Sequence, residues 1–150
     1  MQNEAKFWDN AAAKYFRQPI KDEEAYKMKL EMTREHLAPN FRVLEFGCGT
    51  GGTAIKHASY VQSIHGVDIS DKMLDFARQQ AREKGVENAT FQCSDIADFD
   101  APKGSYEAVL GMSILHLVRD REAMIAKVHK LLKPGGVFIT STVWLAKSHW

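Results

Sequence analysis

Arg42-Val43-Leu44-Glu45-Phe46-Gly47-Cys48-Gly49-Thr50-Gly51-Gly52 is the stretch that decides the fold of this chain. Val43, Leu44 and Phe46 form an apolar run with one acid set into it. Closely spaced glycines follow at 47, 49, 51 and 52, and then a helix-compatible segment from Thr53 to Ala58. The pattern predicts a buried strand, a tight turn and a helix start. Glycine permits φ > 0 and lets a ligand lie directly on the main chain. The first amides of a following helix suit a carboxylate or phosphate.

Three ligands compete for such a turn. A triphosphate loop needs a Lys after the last glycine, and Thr53 stands there instead. A dinucleotide turn of the G-x-G-x-x-G kind fits through Gly47, Gly49 and Gly52. S-adenosylmethionine (SAM) fits through Gly47, Gly49 and Gly51. Glu45 weighs between them, because a carboxylate repels a pyrophosphate and attracts a ligand carrying an ammonium and a sulfonium.

Working outward, the chain alternates strand and helix. Ser63 to Val67 reads as a second strand ending at Asp68. Ser70 is a good N-cap for a helix running to about Lys84, with Met73, Leu74, Ala77 and Ala81 facing inward and Gly85 as its stop. Thr90 to Cys93 is a third strand, followed by Ser94-Asp95. Tyr106 to Met112 is a fourth. Asp120 to Lys133 is a helix with Met124, Ile125, Val128, Leu131 and Leu132 on one face. Pro134-Gly135-Gly136 turns the chain into a fifth strand, Val137 to Trp144. Upstream, Glu4 to Phe16 and Asp22 to Leu37 read as two helices. The first carries Phe7, Trp8, Tyr15 and Phe16, either as core or as a lid over the glycine turn.

This alternation predicts an α/β domain with a parallel sheet and helices on both faces. Ligands of such sheets bind at the carboxyl ends of the strands. Glu45 with Gly47, Asp68, Asp95 and Met112-Ser113 all fall at predicted carboxyl ends. Asp68, about 20 residues past the glycine turn, suits both ribose hydroxyls of an adenosine ligand. Ile69 and Met73 supply apolar walls for its base. Asp95 can accept from an exocyclic amine, with Ile96 packed on the ring. At the acceptor end His116 is the titratable group that suits a general base. Neither Asp-Pro-Pro-Tyr nor Asn-Pro-Pro-Tyr occurs there, and no Pro-Cys dipeptide occurs anywhere, which weighs against amine methylation on nucleic-acid bases and against cytosine-C5 chemistry.

The chain has 150 residues and a formal net charge of +1, one domain without the electrostatic footprint of a nucleic-acid binder. Its two cysteines are too few for a disulfide framework or a zinc site, so no metal is expected. No segment is apolar enough to span a bilayer, and no signal peptide opens the chain, so a cytoplasmic protein is expected.

Val-Leu-Glu-Phe-Gly-Cys-Gly-Thr-Gly, Gly-Val-Asp-Ile-Ser, Cys-Ser-Asp and Leu-Leu-Lys-Pro-Gly-Gly-Val-Phe, in this order and spacing, resemble class I SAM-dependent methyltransferases, with a closer likeness to a small-molecule-type, bacterial-like subgroup. The likeness covers roughly Phe7 to Thr142, since Phe-Trp-Asp-Asn-Ala-Ala-Ala-Lys-Tyr also resembles that subgroup's N-terminal segment. It implies a Rossmann-like doubly wound sheet of strand order 3-2-1-4-5. Residues 1–40 would be a helical lid and 41–150 the SAM-binding core, together one domain. It implies SAM as cofactor, S-adenosylhomocysteine (SAH) as product and a small-molecule methyl acceptor. Glu45, Gly47 and Gly49 would line the methionine part, with Phe46, Cys48 and Gly51 among the cofactor contacts. Asp68 would hold the ribose and Asp95 and Ile96 the adenine, with Ile69, Met73 and Ser94 among the cofactor contacts. Met112 would lend main chain, and Tyr15 would close the site. Tyr106-Glu107 departs from the family's Phe-Asp without expected consequence. The resemblance also implies C-terminal strands that this chain lacks. Its fifth strand is therefore expected either to self-associate through Val137 to Trp144 or to belong to a longer protein. A nicotinamide-dependent oxidoreductase, a SAM-binding module without catalysis and aminopropyl transfer are the rival readings. The first is disfavoured by Glu45 and the Lys-Pro-Gly-Gly turn, the last by the lack of an acidic cluster.

Overall fold

The computed structural model describes residues 2–17, 22–112, 114 and 117–141. Two helices come first, α1 (Gln2–Arg17) and α2 (Glu23–Arg34). The chain then alternates through β1 (Arg42–Phe46), α3 (Gly52–Ala58), β2 (Ser63–Asp68), α4 (Asp71–Glu83) and β3 (Ala89–Cys93). It ends in β4 (Tyr106–Met112), α5 (Arg121–Leu131) and β5 (Leu132–Ser141). Three helices open on the short oxygen side chain that a helix start needs in extended backbone. Asp22 accepts from Ala25 N, Ser70 from Met73 N and Asp120 from Ala123 N. Gly85 closes α4 with φ of 65°.

The sheet is parallel throughout, in the order β3-β2-β1-β4-β5, as the resemblance implies. Side chains of a strand alternate between faces. One face packs Leu44, Phe46, Val67 and Val109 against Met124, Val128 and Leu131 of α5. The other packs Val43, Ile64, Ala108 and Leu110 against Ala54 and Ala58 of α3. Gly111 in β4 leaves room where two rings meet above it. A Cβ there would lie 2.6 Å from Phe46 Cζ and 3.3 Å from Phe138 Cε1, and the ring centroids are 6.0 Å apart. Glu107, the departure from the family pattern, ties three strands: its carboxylate accepts from Arg42 N at 2.6 Å and Lys133 Nζ at 2.8 Å.

Two expectations need correction. Ile125 does not share the buried face of α5; it is 56% exposed, whereas Met124, Val128 and Leu131 are buried. Leu132 belongs to β5, not to the helix, and the Pro-Gly-Gly segment is no simple turn before the strand. Tyr106 pairs with Leu132 and Ala108 with Val137, so β4 advances from 106 to 108 while β5 advances from 132 to 137. Lys133-Pro134-Gly135-Gly136 thus stand against the single Glu107, and the excess bulges out, with Gly135 at φ of 79°. The part of the expected fifth strand beyond Ser141 lies outside the described residues.

Candidate active site

The carboxyl ends of β1, β2, β3 and β4 open into a cavity of about 790 Å³, which α1 covers from one side and the segment between β4 and α5 from another. That volume lies in the range of small-molecule sites, roughly 300–1,000 Å³. The loop after β1 forms its base. Gly47, Gly49 and Gly51 have φ of 65°, 56° and 80°, a conformation that side chains rarely adopt. The left-handed set is therefore 47, 49 and 51, while Gly52 is already in α3. The space over Gly49 is open: an added Cβ would meet nothing nearer than Tyr15 Cε1 at 4.0 Å. Over Gly47 the same atom would strike Ile114 Cγ1 at 2.7 Å.

Asp68, at the end of β2, is held from two sides. Gly49 N donates to its Oδ2 at 2.8 Å and Ser70 N to its Oδ1 at 3.0 Å. Burial raises its carboxyl above the ordinary value, against the pull of the backbone N–H groups of Ser70, Gly49 and Ile69. Each oxygen keeps lone-pair capacity for a further donor. Ser70 is fully buried, and its Oγ donates to Asp9 Oδ1 at 2.5 Å, so α1 is fastened to the loop that carries Asp68. The ring of Phe16 stacks on Phe76 of α4 at 4.6 Å and reinforces that attachment.

Of the residues proposed from sequence, Tyr15, Phe46, Gly47, Gly49, Asp68, Ile69, Met73, Ser94, Asp95, Ile96 and Met112 line the cavity. Asp95 also makes the turn expected of a plain loop residue, its Oδ1 accepting from Asp98 N at 2.7 Å.

Glu45, Cys48 and Gly51 are not on the wall. Alternation along β1 sends Glu45 to the face opposite Phe46, where it is 2% exposed and its Oε1 has no hydrogen-bond partner. Burial pushes its carboxyl up to about 8, with Lys29 drawing it down and Asp68 adding to the rise. Cys48 is buried against Gly66, whose added Cβ would lie 2.8 Å from its Sγ. Gly51 serves helix packing, since a Cβ there would lie 2.7 Å from Ala77 Cβ. His116 lies outside the described residues.

The sequence reading did not name several wall residues as contacts. Phe7 and Trp8 stand on the same helix as Tyr15 and line the cavity with it, their rings edge to face at 5.2 Å and 84°. The spacing from 8 to 15, two turns of helix, is the signal that could have placed Trp8 beside Tyr15. Ile114, Leu117, Val118 and Arg119 come from an aperiodic connection, and Met124 and Lys127 from α5. Arg119 pairs with Glu4 at 3.4 Å across the mouth.

Residues 43–136 match the family described as Methyltransferase domain. The chain belongs to the class I SAM-dependent methyltransferase family. The chain is 31% identical over 139 residues to YcgJ of Bacillus subtilis, described as an uncharacterized methyltransferase, a match covering 93% of the chain and 54% of the relative. The solved structure of YcgJ aligns with a TM-score of 0.73 at 30% identity, covering 76% of this chain and 50% of that one. The ubiquinone biosynthesis O-methyltransferase of Coxiella burnetii is 32% identical over 101 residues, or 67% of this chain and 43% of that protein. The structure of the [4+2]-cyclase SpnF aligns with a TM-score of 0.74 at 25% identity, covering 83% of this chain and 48% of that one. The chain thus spans about half the length of the curated relatives it matches. Among the described residues no helix is long and apolar enough to cross a membrane.

Proposed function

We propose that this chain binds SAM in the cavity and transfers its methyl group to a small-molecule acceptor in the cytoplasm. The observation that carries the reading is the convergence of the open glycine loop and the doubly held Asp68 with Asp95 in one cavity. The open space over Gly49 fits a ligand that lies directly on the main chain of the loop.

In this reading Asp68 accepts the ribose hydroxyls with the lone pairs that Gly49 N and Ser70 N leave. Asp95 and Ile96 hold the adenine. The main chain at Gly47 and Gly49 meets the methionine end. Residues 1–40 act as a lid in which Tyr15 closes over Gly49, and 41–150 form the core. Bound SAM supplies a methyl group already activated on a sulfonium. The protein's task is then to align an acceptor and exclude water, and positioning alone can be worth roughly 7–11 kcal/mol. A general base is needed only where the acceptor must lose a proton, a role kept for His116. The small net charge of +1 suits an acceptor other than nucleic acid. The free thiols of Cys48 and Cys93 suit a reducing compartment.

Thermal unfolding with added SAM, SAH and NAD tests the proposal. At a hundredfold excess over its dissociation constant, SAM or SAH should add about 2.7 kcal/mol. Stabilisation by NAD and by neither SAM species would overturn it. Since SpnF is a cyclase, binding of SAM without transfer to any acceptor would favour a module that uses the cofactor site for another end.

A further inference from the structure

The glycine loop cannot hold itself. Gly47, Gly49 and Gly51 carry no side chain that would bar other backbone conformations, so contacts around the loop must select one. Hydrogen bonds supply them. Cys48 N donates to Val67 O at 3.1 Å and Gly51 N to Cys48 O at 3.0 Å. Two side chains add to these main-chain bonds: Gly49 N donates to Asp68 Oδ2 at 2.8 Å, and Thr50 O accepts from Gln80 Nε2 at 2.9 Å. Asp68 lines the cavity, whereas Gln80, on α4, stands behind the loop and is not among the lining residues.

The Thr50–Gly51 peptide is thus held at both ends. Its carbonyl accepts from Gln80, and its N–H donates to Cys48 O. Turning the peptide over would break both bonds. Position 51 offers no resistance of its own, because glycine takes either sign of φ about equally well. The packing of α4 places the amide for this task. Met73, Ala77 and Gln80 follow one another at intervals of four and three, which puts them on one face of the helix. Met73 lines the cavity, Ala77 leaves only a glycine's room at position 51, and Gln80 reaches Thr50 O from the next turn.

From this arrangement we propose that Gln80 is a positioning residue, which fixes the Thr50–Gly51 peptide so that the main chain at Gly49 is presented to the methionine end of the cofactor. It acts through the loop and does not touch the ligand. The proposal rests on the SAM reading of the cavity. Without the donor, a half-buried carbonyl loses its partner and other loop conformations gain population.

Two substitutions test this. Gln80 is half-buried, and Met and Glu rank close to Gln as helix formers, so both leave α4 intact. Gln80→Met removes the donor. Gln80→Glu keeps the shape of the side chain and, ionised at neutral pH, sets an acceptor against Thr50 O. In calorimetric titration Gln80→Met should weaken SAH about fivefold, the worth of one neutral hydrogen bond, and Gln80→Glu by about tenfold or more. Methylthioadenosine, which lacks the amino-acid end, should bind both variants as it binds the wild type. In the ligand-free protein, hydrogen exchange at Gly51 N should quicken by similar factors while the amides within α4 keep their rates. Wild-type SAH affinity in Gln80→Glu, equal losses of SAH and methylthioadenosine, or unchanged exchange at Gly51 N would each overturn the role of Gln80 and leave the cofactor reading standing. Wild-type protein that binds neither ligand would strike at the cofactor reading instead, and exchange at Gly51 N then decides by itself whether Gln80 holds the loop.

Discussion

Glu45 and His57 should set opposite slopes on the stability of the ligand-free protein against pH. Glu45 is buried with an orphaned Oε1, and burial holds its carboxyl at about 8 against an ordinary 4.5. His57, in α3, is fully buried with neither ring nitrogen hydrogen-bonded, and burial with the nearby Arg34 charge lowers it to about 4 from 6.5. Between 4.5 and 8 the folded state keeps the Glu45 proton that the unfolded state has released, so stability falls as pH rises. Between 4 and 6.5 the unfolded state holds a proton that folded His57 refuses, so stability rises with pH. The two slopes oppose each other up to 6.5, and the fall stands alone from 6.5 to 8. That window of 1.5 pH units, at about 1.36 kcal/mol each, is worth about 2 kcal/mol. Asp68, also raised, acts in the same direction as Glu45. Urea denaturation at half-unit steps from pH 5 to 8.5 measures the effect. Glu45→Gln should flatten the fall above 6.5, and His57→Leu should extend it down toward 4.5. A wild-type curve that is level or rising between 6.5 and 8, or a Glu45→Gln protein that keeps the slope, would refute the reasoning.

Asp68→Ala should weaken SAM at least tenfold without unfolding the protein, since each charge-assisted hydrogen bond lost is worth about 1.5–3 kcal/mol; an unchanged dissociation constant would remove Asp68 from the ribose. Asp9→Ala leaves the buried Ser70 Oγ without its acceptor, and should cost about 1–3 kcal/mol in urea denaturation, with faster amide exchange in α1; a loss under 0.5 kcal/mol, roughly the noise of surface changes, would show that α1 is held elsewhere. β5 has a neighbour on one side only among the described residues, so the 150-residue chain should self-associate along that edge as concentration rises in light scattering; a monodisperse monomer throughout would contradict this.

Much of the fold is legible because strand-like runs alternate with segments of helical period, and the acids at or just past the ends of β2 and β3, Asp68 and Asp95, mark the ligand end of a parallel sheet. The glycine spacing identifies the loop because 47, 49 and 51 take the left-handed conformation at alternate positions. The orientation of Glu45 was also in the sequence: it is one step from Phe46, so a wall that takes one must send the other away. The start of β5 was hidden, because the helix period carries through Leu131 and nothing local says that Leu132 already pairs with Tyr106. The connection after β4 was hidden too. Ile114, Leu117 and Val118 follow no period, and their place is set by the cavity they close.

Gly111 links the outer edge of the sheet to the depth of the cavity. Phe46 lines the cavity and lies over that bare position in contact range of Phe138 on β5. A methyl group at 111 would force the Phe46 ring to give way toward the space it lines. Cavity depth is therefore heritable through residues that never meet a ligand: drift at position 111, or at 138 on the edge strand, would resize the chamber. A lineage can acquire a larger or smaller acceptor by such steps while every group that holds the cofactor stays as it is.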